Sequence, residues 1–176
     1  MAKVVVGLSG GVDSSVAAFL LVQAGYDVSG MMLRLWSEPG KEDGNRCCAP
    51  DAMLQARRTA SKLAIPFYAV DVKARFYDLI EQDFISVYDR GWTPNPCIRC
   101  NRYIRWGEMF AQAQAGGADF LATGHYAQIC SGSDGLPRLM RGADAAKDQS
   151  YVLSDIPYEK LSRTLFPIGG LEKSNV

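Results

Sequence analysis

The stretch Gly7-Leu8-Ser9-Gly10-Gly11-Val12-Asp13-Ser14-Ser15 decides how this chain is read. An apolar run over residues 3–8 (KVVVGL) precedes it, as expected of a parallel strand buried on both faces. Val16, Ala17, Leu20 and Leu21 follow at helical spacing, and Gly25 supplies a helix stop. The stretch is therefore a strand-to-helix turn. Gly10 and Gly11 let the backbone bend tightly and bring its N–H groups close to an anion. A helix start adds unpaired donors and a partial positive charge. Ser9, Ser14 and Ser15 offer hydroxyl donors, and Asp13 is expected to be the helix N-cap and a contact for magnesium. A plain capped turn would account for one glycine and the Asp, but not for SGG followed by DSS. The pattern is neither GxGxxG nor GxxxxGK[ST], which disfavours a dinucleotide fold and a P-loop NTPase.

Outward from that turn, strands alternate with helices. Strands are predicted over 27–35 and 67–71, and helices over 13–24, 50–63, 73–88 and 98–116. Residues 37–45 are polar and Gly-rich, hence a loop. Residues 91–96 (GWTPNP) hold two prolines, which remove donors and restrict their neighbours, so no regular element fits there. Short strands are predicted over 119–122 and 126–130, with Thr123-Gly124-His125 at the turn between them. A hairpin loop over 131–137 leads to 138–141, and residues 149–156 read as a short helix. This order predicts an α/β fold, a parallel sheet sandwiched by helices with right-handed crossovers. Such sheets bind ligands at the carboxyl ends of their strands. The first turn, the end of the second strand and the 123–125 turn should share that edge.

The 176 residues suffice for one α/β domain with a core. With 48% hydrophobic and 22% charged residues the composition is that of a soluble globular protein. No apolar run nears the roughly 20 residues needed to cross a bilayer, and the start lacks the pattern of a secretory signal. The expectation is a cytoplasmic protein with no membrane partner. Lys plus Arg and Asp plus Glu each number 19, so the net charge is zero and any phosphate contact must come from local clusters. Arg99, Arg102 and Arg105 form one cluster, and Arg138, Arg141 and Lys147 another. On charge alone both read as solvated faces. The cysteines are Cys47, Cys48, Cys97, Cys100 and Cys130, an odd count that argues against a disulfide framework. Cys97-Ile98-Arg99-Cys100 has the spacing used in redox and metal sites, without a second CxxC or a His pair to complete a zinc site.

The glycine turn resembles that of the ATP pyrophosphatases, whose SGGxDS loop holds the outer phosphates of ATP while AMP is transferred. Further motifs follow in order: Thr93-Pro94-Asn95-Pro96-Cys97-Ile98-Arg99-Cys100-Asn101, Ala122-Thr123-Gly124-His125-Tyr126, Lys147-Asp148-Gln149-Ser150-Tyr151 and Phe166-Pro167-Ile168-Gly169. Together they resemble the tRNA-specific 2-thiouridylase family over essentially the whole chain. The resemblance implies an adenine nucleotide alpha hydrolase-like fold with a PP-loop. It implies ATP-dependent adenylation of the wobble uridine C2 oxygen, then sulfur transfer from a cysteine persulfide with release of AMP and pyrophosphate. It places ATP on Gly7, Leu8, Ser9, Gly10, Gly11, Val12, Asp13 and Ser14, with Leu33 and Gly124 against the nucleotide. It places the target base on Asn95, Pro96 and Cys97, and tRNA on Lys147, Asp148 and Gln149. Cys100 becomes the nucleophile, with Cys97 as a candidate partner, activated by a helix start beside Arg99 and Arg102. The implied cofactors are ATP and Mg2+, and the implied partners are tRNA and a sulfur-relay protein or cysteine desulfurase.

Three departures keep other readings open. Many relatives carry Asp at the position of Cys97, so Cys97 with Cys100 allows a redox pair, or an iron–sulfur cluster given a further ligand. The family is roughly twice as long, with central and C-terminal β-barrel domains and a second cysteine beyond residue 176. The chain is expected to be a fragment, incomplete for sulfur transfer, with residues 142–176 a linker or the start of the next domain. Cys47-Cys48 are read as loop residues, Cys130 as a buried strand residue, and His125 as a brace for the nucleotide edge. The rivals are a non-catalytic nucleotide-binding module, an amidating synthetase of the same superfamily, and an iron–sulfur-dependent tRNA thiolase.

Overall fold

A computed structural model describes residues 1–35 and 50–176. Its centre is a five-stranded sheet in the order β3-β2-β1-β4-β7, with every pairing parallel. The strands are β1 (Lys3–Gly7), β2 (Asp27–Arg34), β3 (Phe67–Asp71), β4 (Phe120–Ala122) and β7 (Thr164–Leu165). Side chains alternate across β1 and β2, as a strand covered on both faces requires. Val4, Val6, Val28 and Met32 point to one face, where they meet Ala17, Ala18 and Leu21 of helix α1 (Val12–Gln23) and Ala56 and Ala60 of α2 (Pro50–Lys62). Val5, Met31 and Leu33 point to the other face. There they meet Ile80 of helix α3 (residues 73–89) and Ile104, Trp106, Met109 and Phe110 of helix α4 (residues 96–115). Trp106 is fully buried, and its indole N–H donates to Thr164 Oγ1 at 2.8 Å, tying α4 to the edge strand β7.

A separate antiparallel hairpin, β5 (Ala127–Ser131) and β6 (Pro137–Arg141), follows β4. Cys130, expected inside a strand core, is exposed on this hairpin. α1 ends in a Schellman motif: the Tyr26 N–H reaches Leu21 O, the Gly25 N–H reaches Val22 O, and Gly25 takes φ of +82°.

The element types match the sequence pattern as far as β6, and the differences lie at boundaries, in helix type and in β7, which the pattern did not predict. α1 begins at Val12 with Gly11 as its N-cap, so Asp13 stands in the first turn and is not the cap. α4 begins at Pro96, two residues before the expected start, because Asn95 Oδ1 accepts from the Ile98 N–H and proline suits the first helical position. Within α4, Cys100–Met109 is wound as π-helix, and Tyr77–Glu81 of α3 likewise. A 3.6-residue hydrophobic period does not distinguish that winding from α. Residues 149–156 form only a 3₁₀ turn, Ser150–Leu153. The stretch 142–176, expected to be a linker or the start of another domain, contributes β7 to the sheet and the fully buried Ile168 to the core. The expected 37–45 loop and Cys47-Cys48 lie outside the described residues. Among the described residues no helix is long and apolar enough to cross a membrane.

Candidate functional site

The strand order reverses between β1 and β4, so the turns leaving these two strands sit side by side at the carboxyl edge. Gly10 has φ of +79°, and a Cβ there would lie 2.9 Å from the Ala52 Cα of α2. Both the backbone angle and the neighbour require glycine. Gly11 is ordinary by comparison, with φ of −87° and only Ser9 Oγ within 3.5 Å of a built Cβ. The loop is laced by its serines: Ser14 Oγ donates to Gly11 O at 3.0 Å and accepts from the Ser9 N–H at 3.2 Å. Among the described residues no side chain accepts from the first-turn N–H groups of α1, although Ser9 Oγ accepts from the Gly11 N–H at 3.4 Å. Gly124 presses against that turn from the β4 side, where a Cβ would lie 2.7 Å from Ser14 N.

Asp13 is held from two sides. Tyr126 Oη donates to its Oδ1 at 2.9 Å, and Lys173 Nζ pairs with the same oxygen. Burial and then the hydrogen bond to Asp13 raise the Tyr126 phenol, which keeps it a donor; the bond to Asp13 likewise raises Lys173. His125 follows Gly124 and is buried against the rings of Trp106 and Phe166. Its Nε2 lies 3.1 Å from Arg105 and its Nδ1 2.7 Å from Thr123 Oγ1. Arginine only donates, so Nε2 accepts and the ring proton sits on Nδ1, donated to Thr123. Burial, and then the Arg105 charge, hold the imidazole well below its ordinary pKa.

These groups surround a cavity of about 540 Å³. Of the nucleotide set expected from sequence, Gly7, Leu8, Ser9, Gly10, Gly11, Asp13, Ser14, Leu33 and Gly124 line it, while Val12 is exposed and does not. Gln149 also lines it, with its Oε1 accepting from the Tyr126 N–H at 3.0 Å. Leu35 and Thr123 lie on this wall, where the end of the second strand and the 123–125 turn were expected, while sequence reasoning missed Met32, Ala52 and Met109 and read Arg105 as part of a solvated cluster. The four-residue spacing of Arg105 and Met109, which puts both on one face of α4, was the available signal.

The remaining candidates stand outside the cavity. Asn95 caps α4, and Cys97 sits in its first turn, exposed and free, so no disulfide joins it to Cys100. Cys100 is in the second turn, its N–H bonded to Pro96 O, and it packs against the α3–α4 core. The helix start expected at Cys100 therefore lies one turn earlier, at Pro96 and Cys97. The arginines beside it are engaged elsewhere, Arg99 with Asp83 at 2.8 Å and Arg102 with Asp155 at 2.6 Å. Asp148 accepts from the Gly142 and Ser150 N–H groups at 2.9 and 3.1 Å, so it shapes its own turn, while the neighbouring Lys147 is exposed. Burial pushes the Asp148 carboxyl up, but those bonds and the Arg141 charge hold it below its ordinary value. Among the described residues no three His, Cys, Asp or Glu side chains come together as metal ligands, so Cys97 and Cys100 lack the further ligand a cluster needs there.

The family described as tRNA methyl transferase HUP domain matches residues 2–176. A curated relative from Lachnoclostridium phytofermentans, tRNA-specific 2-thiouridylase MnmA, is 45% identical over 100% of this chain and 50% of its own length. The protein of the same name from Thermus thermophilus is 47% identical over 100% of this chain and 49% of its own. The chain thus spans about half the length of the curated relatives it matches. A solved structure described as a predicted subunit of tRNA methyltransferase from Methanocaldococcus jannaschii aligns with a TM-score of 0.53 over 99% of this chain and 71% of that one, and at 17% identity it shows the fold alone. The parallel sheet, the glycine turn at its reversal point and a match that takes in all but the first residue make this chain a member of the tRNA methyl transferase HUP domain family.

Proposed function

We propose that this chain is the ATP-using part of a tRNA 2-thiouridylase, adenylating the wobble uridine C2 oxygen before a persulfide sulfur replaces it. One observation carries the ATP-binding reading. The uncapped start of α1, with Gly10 held left-handed against Ala52, opens its donors onto a cavity large enough for a nucleotide. The names of relatives at 45% and 47% identity support tRNA as the substrate and thiolation as the outcome.

ATP supplies the adenylyl group that turns a poor leaving oxygen into a good one. The chain's residues orient and stabilise. The amides of Gly10 and Gly11 and the first turn of α1 receive the outer phosphates, where charge develops as pyrophosphate departs. The end of β2 at Met32 and Leu33 lines the cavity, and there the backbone of Leu33 would meet the base. Asp13 is the one carboxylate on the described wall, and since Tyr126 and Lys173 both take its Oδ1, its Oδ2 would be the atom to meet Mg2+. Asn95 and Cys97, exposed on either side of the half-buried Pro96, form a ledge for a flipped base. The 142–150 turn, braced by Asp148, presents the exposed Lys147 toward tRNA, whereas Gln149, expected to share that contact, is turned to the cavity wall and holds the Tyr126 N–H. Cys100 remains the candidate nucleophile, and a sulfur-relay protein or cysteine desulfurase the candidate donor.

The test is pyrophosphate release from ATP by the 176-residue chain, with tRNA bearing an unmodified wobble uridine and with tRNA bearing another wobble base. Release is expected only with the first. ATP binding without release in either case would make the chain a non-catalytic nucleotide module, and failure to bind ATP would remove the reading altogether.

A further inference from the structure

The cavity wall holds a cation whose charge nothing described balances. Arg34, Arg75, Arg99, Arg102 and Arg138 each pair with a carboxylate. Among the described residues no carboxylate pairs with Arg105. Its partner is His125 Nε2 at 3.1 Å, and that ring is neutral because it accepts here while donating to Thr123. A guanidinium drawn into a partly buried site without a counter-charge is costly unless an anion completes it. Among the described residues only one of its five N–H donors is used, toward His125, which leaves a planar fork suited to a phosphate.

The position of Arg105 follows from the backbone. His125 comes directly after Gly124, whose Cα presses on the Asp13–Ser14 peptide at the start of α1. The guanidinium therefore stands beside the helix start proposed to receive phosphate, and the two lie on one cavity. Trp106 and Phe166 pack on the imidazole and fix its plane.

We infer that Arg105 binds the nucleotide phosphates in this cavity, and that His125, acting as a neutral acceptor locked by Thr123, is the positioning residue that aims it. This inference rests on the ATP reading and adds a named cation and its holder to it.

The experiment is calorimetric titration of the 176-residue chain with ATP and, separately, adenosine. Arg105→Gln is expected to weaken ATP binding by about tenfold or more, the scale of a lost charge-assisted bidentate contact, and to leave adenosine binding unchanged. Arg105→Lys should lose less. His125→Leu should follow Arg105→Gln, while His125→Gln, which restores an acceptor near the Nε2 position, should recover part of the loss. Equal losses for ATP and adenosine would make Arg105 a structural residue and overturn the inference. Unchanged ATP affinity in Arg105→Gln, with Gly10→Ala abolishing it, would also overturn it while sparing the ATP reading. The same ATP result with weakened tRNA binding would assign Arg105 to RNA phosphate instead. No ATP binding by the parent chain would remove both.

Discussion

Two helix starts in this fold are built in opposite ways. α1 has glycine at its N-cap, and among the described residues no side chain accepts from its first-turn N–H groups, Ser9 Oγ reaching only the Gly11 N–H. α4 has Asn95 at its cap, accepting from Ile98 N–H at 3.3 Å, and Pro96 at the first helical position, where no N–H exists to satisfy. α4 therefore settles its terminus internally, and α1 leaves its donors for something outside the chain. The α1 start lies at the strand-order reversal and lines the cavity; the α4 start lies outside it, with Cys97 exposed. The contrast separates a helix start satisfied by its own chain from one whose donors are open to a ligand.

The largest expected effect breaks the α1 side. Gly10→Ala must hold alanine in the left-handed region and push its Cβ into Ala52, a combination costing about 2 kcal/mol or more. Thermal denaturation should fall by several degrees and ATP affinity should collapse. Gly11→Ala is the sharpening control: its φ of −87° and its clear surroundings accept a methyl, so stability should hold. Equal damage from both would mean that the turn, and not the Gly10 position, is the fragile feature.

A smaller effect tests the support beneath that turn. His125 is the only histidine, so its ring gives a single imidazole signal by NMR. Its folded pKa is depressed by burial and by Arg105. The stability linked to its neutral form is therefore complete above the unfolded value of about 6.5 and is lost as pH falls toward the folded pKa. One proton taken up only by the unfolded chain changes stability by at most about 1.4 kcal/mol per pH unit. The lowered carboxyls of Asp134, Asp144 and Asp148 act in the same direction, but only below about pH 4. The expected result is a melting temperature that drops as pH falls below about 6.5, a slope that His125→Gln flattens. An imidazole titrating normally near pH 6.5 would remove His125 as the neutral brace.

How legible this was differs between the two starts. The glycine turn was readable because a buried strand, paired glycines and a helical period leave few alternatives over residues 3–21. Gly124 was readable as a turn residue, but not its reason, since only the fold brings its Cα against the Asp13–Ser14 peptide. Asp13 was misplaced as a cap because Asp suits that position, while Gly11 occupies it and tertiary contacts from Tyr126 and Lys173 claim the carboxylate. Arg105 looked like one of three clustered arginines. Its neighbours Arg99 and Arg102 do find surface carboxylates, and the partner that sets Arg105 apart lies 20 residues away in sequence. β7 was invisible for a similar reason: two residues carry no period, and their strand character comes from pairing with β4.

The smallest expected effect concerns the α4 start. Asn95→Ala removes one side-chain cap on an exposed turn and should cost about 1 kcal/mol, or roughly 3 °C in melting temperature for a chain of this size. Pro96 still fixes the first helical φ, so α4 should persist and only its first turn loosen. ATP affinity should not move, because Asn95 does not line the cavity and Arg105 lies more than two helical turns further along α4. Reaction with a thiol reagent gives the complementary readout. Cys97 is exposed within the loosened turn and should react faster in the variant, whereas Cys100, packed on the core one turn later, should change less. A fall in ATP affinity matching the loss of stability would mean that the two starts are coupled through α4, and that the capped end serves the nucleotide as well.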